Sequence, residues 1–361
     1  MITRLPAIFL LVAAVLVGCT PAAPPASPPG AGGAPSAAPL SKSSLVVAHL
    51  YSTTQAQIFV AEGQGLFAKH LGGDVKLDRR AYPDGNQIMS AFRNGEIDIA
   101  YVGSVPALIS FQEKPNFKIV GGTNIGGTVI VVRPDRGIRA VPDLKGKVIA
   151  VPGLANFQDV VLRAAILPGA GVAASADRAP DKVQVVTSTP ADMLTKLKEG
   201  SIDAAIAFEP WPSRILADPT LKAQVLLDWK AVWREGRYPS STLIASTAML
   251  EQHRDVLKRF LAAHVEANQY LQERPQEAIT LIHDQILKMQ GAELPVSVIE
   301  GGFQRGENTY DPSVAAVMEF AALANQTYPD RLPTVPKAET LFDLSLLNEV
   351  LRERGLPPVG Q

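Results

Sequence analysis

Eleven residues occur twice in pattern, 105 positions apart. Ser90-Ala-Phe92-Arg-Asn-Gly95-Glu-Ile97-Asp98-Ile-Ala100 is matched by Thr195-Lys-Leu197-Lys-Glu-Gly200-Ser-Ile202-Asp203-Ala-Ala205. In each copy a helix-forming stretch ends at a glycine, the residue that best takes the left-handed conformation just past a helix C-terminus. A β-branched run opening with Ile-Asp follows at once. Each run then meets a proline-marked turn, Gly103-Ser104-Val105-Pro106 in the first copy and Phe208-Glu209-Pro210-Trp211 in the second. Proline suits the opening of a helix, so both turns are expected to start one. Two such units, one per lobe, set strand ends and helix starts opposite each other. In open α/β sheets ligands bind in that crevice, beyond the carboxyl ends of the strands.

The surrounding texture supports this reading. Short apolar runs at residues 45–48, 75–77, 97–102, 118–120 and 129–132 read as strands, as do 148–151, 183–186, 204–207 and 242–245. Helical stretches at 57–70, 86–93, 156–165 and 191–198 lie between them. Strand–helix alternation argues for α/β with mainly parallel sheets. After Ser246 the pattern turns helical. Asp255–Arg274 carries Val256, Phe260, Ala263, Ala267 and Leu271 on one face and stops at Pro275. Stretches at 276–289, 312–327 and 341–354 follow, and are expected to pack outside the first lobe's sheet. At 361 residues and 47% hydrophobic, the chain has material for two lobes. Its formal net charge of −1 excludes a basic nucleic-acid platform.

Residues 1–44 read as export and tether. Arg4 precedes an unbroken apolar run, Ala7–Val17, too short to span a membrane comfortably and ordered like a secretory signal. Leu16-Val17-Gly18-Cys19 is similar to a bacterial lipoprotein box, which implies removal of residues 1–18 and lipidation of Cys19. From Thr20 to Ser44, 22 of 25 residues are Pro, Ala, Gly or Ser, so 19–44 reads as a tether.

Catalytic signals are weak. Cys19, the sole cysteine, forms no internal disulfide or redox pair. The five histidines show no metal-motif spacing, and no nucleophile elbow or phosphate loop occurs. Gly121-Gly122-Thr-Asn-Ile-Gly126-Gly127 is glycine-rich but leads into a strand, not the helix a dinucleotide site needs.

Several segments resemble one family in order. Phe59-Val-Ala-Glu62-Gly-Gln-Gly65-Leu-Phe67 resembles its first helix, and Asn94–Ala100 its second helix-to-strand passage. Asp143-Leu144-Lys145-Gly146-Lys147 resembles the start of its second lobe. Phe208-Glu209-Pro210-Trp211 resembles its pocket turn, and Tyr238-Pro239-Ser240-Ser241 its return crossing, with Leu257–Leu261 in the helix beyond. The chain thus resembles substrate-binding proteins of bacterial ABC importers, of the nitrate/sulfonate/taurine type with the type II periplasmic-binding fold. The resemblance implies a two-lobed α/β architecture with mostly parallel sheets flanked by helices and a ligand cleft between the lobes. Lobe one would comprise 45–126 and 238–361, and lobe two 127–237 with the hinge crossings. It implies capture of a small organic anion or zwitterion, sulfonate- or taurine-like, and delivery to a permease and its ATPase. The alternatives are a neutral nitrogen heterocycle as ligand, or an enzyme or sensor on the same fold. The protein is expected to be a membrane-anchored monomer in the cell envelope, without cofactor, metal or nucleic acid.

Candidate ligand-binding residues follow from position. Tyr51, Ser52, Thr53 and Gln55 lie between the first strand and its helix, where Ser or Thr can equally serve as helix caps. Ser104 sits at the first proline turn, and Asn124 beside Gly126 can bind or shape a turn. Asn156 opens a second-lobe helix after Gly153-Leu154-Ala155, where relatives carry Ser or Thr after the glycine. Glu209 can hold an ammonium or amide N–H of a ligand, or pin the hinge through local backbone amides. Trp211 can line the cleft or fill core, and Ser240 lies on the return crossing. Arg133 and Arg237 are possible anion partners near the crossings, though arginine more often sits in solvent.

Overall fold

The computed structural model describes residues 39–73, 75–290 and 294–360. The signal segment, Cys19 and most of the tether fall outside them. Residues 40–361 form one unit built on two six-stranded sheets. The first sheet contains β1 (Ser44–Leu50), β2 (Lys76–Tyr82), β3 (Ile99–Val102) and β4 (Phe117–Gly126). The second contains β5 (Thr128–Val132), β6 (Val148–Val151), β7 (Ala173–Ser175), β8 (Lys182–Thr187), β9 (Ala204–Phe208) and β10 (Gln224–Leu227). The chain then returns to the first sheet with β11 (Pro239–Ser246) and β12 (Gly306–Asn308).

The sheet orders are β12-β4-β11-β3-β1-β2 and β10-β5-β9-β6-β8-β7. Adjacent parallel strands number three in the first, β2-β1-β3, and four in the second, β7-β8-β6-β9, each set flanked by an antiparallel neighbour, β11 or β5. Helices α1 (Ala56–Gly63), α2 (Leu66–Leu71), α3 (Gly85–Arg93) and α4 (Ser104–Glu113) serve the first sheet's opening half. The second sheet carries α5 (Phe157–Val161), α6 (Leu167–Gly169), α7 (Pro190–Glu199), α8 (Trp211–Leu216) and α9 (Trp229–Val232). The C-terminal helices are α10 (Thr247–Gln252), α11 (Arg254–Glu273), α12 (Pro275–Gln290), α13 (Val296–Gln304), α14 (Val314–Thr327), α15 (Ala338–Leu341) and α16 (Ser345–Glu353).

The repeated segment is a repeated joint. Gly95 and Gly200 follow α3 and α7 with φ of +80° and +76°. Asp98 accepts the Val46 N–H at 2.9 Å, and Asp203 accepts the Val148 N–H at 2.9 Å. The backbone amides of the two aspartates donate in turn to the carbonyls of Val46 and Val148. Each aspartate therefore clamps the start of the neighbouring central strand, and adds a cation, Lys42 or Arg136.

Two differences from the sequence reading have clear causes. The glycine-rich run leads into a strand as expected, β5 starting at Thr128, but most of it is itself strand, Gly121–Gly126 lying in β4. There the Tyr310–Pro312 loop crosses so closely that a Cβ on Gly122 would meet the Asp311 carbonyl oxygen at 2.1 Å. The helix expected over 156–165 contains a π-turn, Leu162–Ile166, between α5 and α6. Pro168 supplies no N–H to the preceding turn, and the wider turn absorbs the mismatch.

The C-terminal helices divide in role. α11, α12 and α16 cover the first sheet, with Phe260 stacked on Phe67 at 5.2 Å. α14 does not stay outside that sheet. It packs against α4 on one side and α5 on the other, so one apolar core runs across both sheet systems. Its Phe320 stacks on Phe157 at 4.5 Å, and Phe157 stacks on Tyr238 at 4.7 Å.

Two chain crossings join the halves side by side. Gly126-Gly127 carries the chain out, with φ of +79° and +82°, and the Gly126 N–H donates to the Tyr238 carbonyl on the return crossing. A Cβ on Gly126 would lie 2.3 Å from the Trp229 ring, so glycine is required there by space as well as by φ.

Candidate functional site

The carboxyl ends of the four central strands converge. Leu50 ends β1, Gly103 follows β3, Pro152 follows β6 and Phe208 ends β9; all four line one small cavity. Thr54, Gln55, Asp84, Gly85 and Pro106 complete its first-sheet wall with Ser240 and Ser241, while Asn156, Phe157 and Gln158 complete the opposite wall. A second cavity, about 180 Å³, shares Leu50 and Phe208 and adds Tyr51, Tyr82, Thr189 and Trp211. The two flank the Leu50–Phe208 pair.

Most polar lining groups are held by protein partners. Gln55 accepts the Leu50 N–H at 2.7 Å and donates to Ser241 Oγ at 3.0 Å. Ser241 Oγ donates to the Val102 carbonyl, and Ser240 Oγ donates to Asn124 Oδ1 at 3.0 Å. Asp84 caps α3, accepting the Asn86 and Gln87 N–H groups and the Gln87 side-chain amide. Asn156 caps α5 by accepting the Asp159 N–H, and Gln158 Nε2 donates to Thr128 Oγ1. Asn156 Nδ2 and Gln158 Oε1 keep no protein partner among the described residues.

The loop before α5 is held open from behind. Ala155 takes φ +55°, an uncommon conformation for a residue with a side chain. Buried Asp159 accepts its N–H at 2.8 Å, and Arg163 and Tyr328 bond the same carboxylate. Tyr328 closes α14, so the interlayer helix also braces the cavity wall.

The sequence candidates separate into three groups. Gln55, Asn156 and Ser240 line the first cavity, and Tyr51 and Trp211 the second. Ser52, Thr53, Ser104, Asn124 and Glu209 line neither. Ser52 Oγ donates to the Glu209 carbonyl at 2.7 Å, tying the β1 loop to the second sheet. Ser104 Oγ donates to the Pro239 carbonyl, and the cap position of α4 belongs to Gly103. Glu209 is fully buried behind the cavity. Its Oε2 accepts the Ser213 N–H at 3.2 Å, and its Oε1 lies 3.7 Å from Arg305. Burial pushes the carboxyl up to about 7, against the opposing pull of Ser213 and Arg305. Arg133 pairs with Asp135 and Arg237 with Glu235, both away from the cavities.

Sequence reading missed Leu50, Phe157, Gln158 and Phe208. The available signal was the repeat itself: Phe208 ends the strand whose first copy leads into Gly103. Among the described residues, no group of three or more His, Cys, Asp or Glu side chains is placed to hold a metal ion. None of their helices is long and apolar enough to cross a membrane.

Comparison with known proteins gives the same picture. The model of the NMT1-like family matches residues 38–283. The taurine-binding periplasmic protein of Escherichia coli K12 is 27% identical over 221 residues, 61% of this chain and 64% of that protein. A putative aliphatic sulfonates-binding protein of the same organism is 27% identical over 270 residues, 73% and 77% of the two chains. The crystal structure of the periplasmic nitrate-binding protein of Synechocystis PCC 6803 superposes with a TM-score of 0.71 at 15% identity, covering 88% of this chain and 90% of that one. The chain spans just under two thirds of the taurine-binding relative. With the family model covering more than half its length and the two-sheet fold shared, this chain belongs to the NMT1-like family.

Proposed function

We propose that this protein is the solute-binding component of an ABC importer. It captures a small molecule in the cleft between two lobes and delivers it to a permease driven by an ATPase, making and breaking no covalent bond. Lobe one is 45–126 with 238–361, and lobe two is 127–237. The observation that carries the reading is the cavity closed by the ends of four central strands, two from each sheet, beside two adjacent chain crossings. Crossings of that kind act as a hinge, and closure about them encloses the solute. The relatives' printed functions, binding taurine and aliphatic sulfonates, support capture of small solutes. Export with a lipid on Cys19, a 19–44 tether and a monomeric body fit delivery to a membrane partner.

Asn86 and Leu154 are exposed residues on opposite sides of the cleft mouth, near the Gly85 and Gly153 turns. In a Cys19→Ser background, spin labels at Asn86→Cys and Leu154→Cys report lobe closure. A low-molecular-weight fraction of the host's growth medium is expected to shift the distance distribution toward the short population. A distribution indifferent to every fraction contradicts solute capture.

A further inference from the structure

The cleft has an unusual charge inventory. Neither cavity has a Lys, Arg or His among its lining residues, and Asp84 is the single carboxylate there. The cations in its surroundings are engaged elsewhere. Arg305 lies against Glu209 and Asp228, Arg163 against Asp159, and Arg79 against Glu62.

Helix starts do not compensate. The first N–H groups of α3 are taken by Asp84, an α5 N–H by Asn156 and the Thr54 N–H by Ser52. α4 has Gly103 at its cap position and so no side-chain cap, but Pro106 removes one N–H from its first turn. The Gly85 turn that follows Asp84 packs against Pro106, where an added Cβ would lie 3.1 Å from the proline ring. The one carboxylate lining the cavity thus adjoins the turn that packs on the first turn of α4. An anion in this cleft would face a like charge and apolar walls, with no cation to offset its lost hydration.

What the cleft does offer is neutral. Asn156 Nδ2 is a free donor and Gln158 Oε1 a free acceptor, both at the start of α5. Leu50, Pro106, Pro152, Phe157 and Phe208 provide the apolar walls.

We propose that the cleft selects an uncharged solute with an apolar body and an amide-type edge, one acceptor facing Asn156 and one donor facing Gln158. Asp84 acts as a filter against anions. The inference rests on the solute-capture reading above.

A matched ring series isolates charge: benzamide and benzenesulfonamide against benzoate and benzenesulfonate, with taurine added, read by thermal shift and calorimetry on the whole mature body. The two uncharged compounds are expected to raise the midpoint by several degrees at about 100 times their dissociation constants. The anions and taurine are expected to bind at least tenfold more weakly. Asp84→Asn keeps a competent helix cap, and is expected to narrow that gap by improving anion binding. Tighter binding of any anion than its uncharged partner overturns the proposal, as does a gap untouched by Asp84→Asn. If no compound binds yet the labelled cleft responds to a medium fraction, the proposal falls and solute capture stands. If both are silent, both fall.

Discussion

The two copies of the repeated joint share a scaffold and differ at their exits. Asp98 and Asp203 clamp equivalent strands with the same two hydrogen bonds. Beyond the clamp, β3 leaves through Gly103 and Ser104, and β9 leaves through Phe208 and Glu209. The first exit is small and brings an uncapped helix start to the cavity. The second presents a ring to the cavity and buries a carboxylate behind it, against Arg305. The strand-clamping residues are therefore the ones that repeat, and the residues at the cavity are those where the copies diverge. At the second exit Phe208 lines the cavity, and the acid behind it lies against Arg305.

Five substitutions separate these roles. The largest effect is expected at Phe157, stacked between Tyr238 and Phe320 where the halves meet. Phe157→Ala should cost about 3–5 kcal/mol by denaturant unfolding, more than truncation of the apolar walls at either cavity mouth. The clamps come next. Asp203 is nearly buried and Asp98 more open, so Asp203→Ala should cost about 2–3 kcal/mol and Asp98→Ala about 1–2, each leaving a strand N–H unpaired. Equal losses would remove the distinction in burial between the copies.

Glu209 gives a pH signature. Its carboxyl is raised from 4.5 to about 7 mainly by burial. Between those values the folded protein holds a proton that the unfolded chain releases, so this group's contribution to stability falls as pH rises through the window. Glu209→Gln removes the titration. Its stability relative to the parent should rise by on the order of 2–3 kcal/mol from pH 5 to pH 8. Parallel profiles would remove the buried-acid account. Smallest is Ser104→Ala, expected to cost about 1 kcal/mol through the lost bond to Pro239 and to leave solute affinity unchanged.

Much of the fold was legible because periodicity and glycine placement are local. Gly95 and Gly200 marked helix ends, and the strand that follows each was readable from β-branched residues. The cavity was less legible, since facing depends on long-range packing. Ser52, Ser104 and Glu209 look like ligand groups in the chain, yet each bonds backbone near the crossings. Phe157 and Phe208 look like core and line the cleft. The bridging position of α14 depends on Phe320 meeting Phe157, 163 residues earlier in the chain, which no local pattern encodes.

The most direct measurement is a crystal structure of the protein carrying the small molecule it retains when purified from its own host. The account predicts density between Leu50, Phe157 and Phe208, with polar contacts to Asn156 and Gln158. A molecule seated instead against Glu209 and Arg305, or outside both cavities, would contradict it.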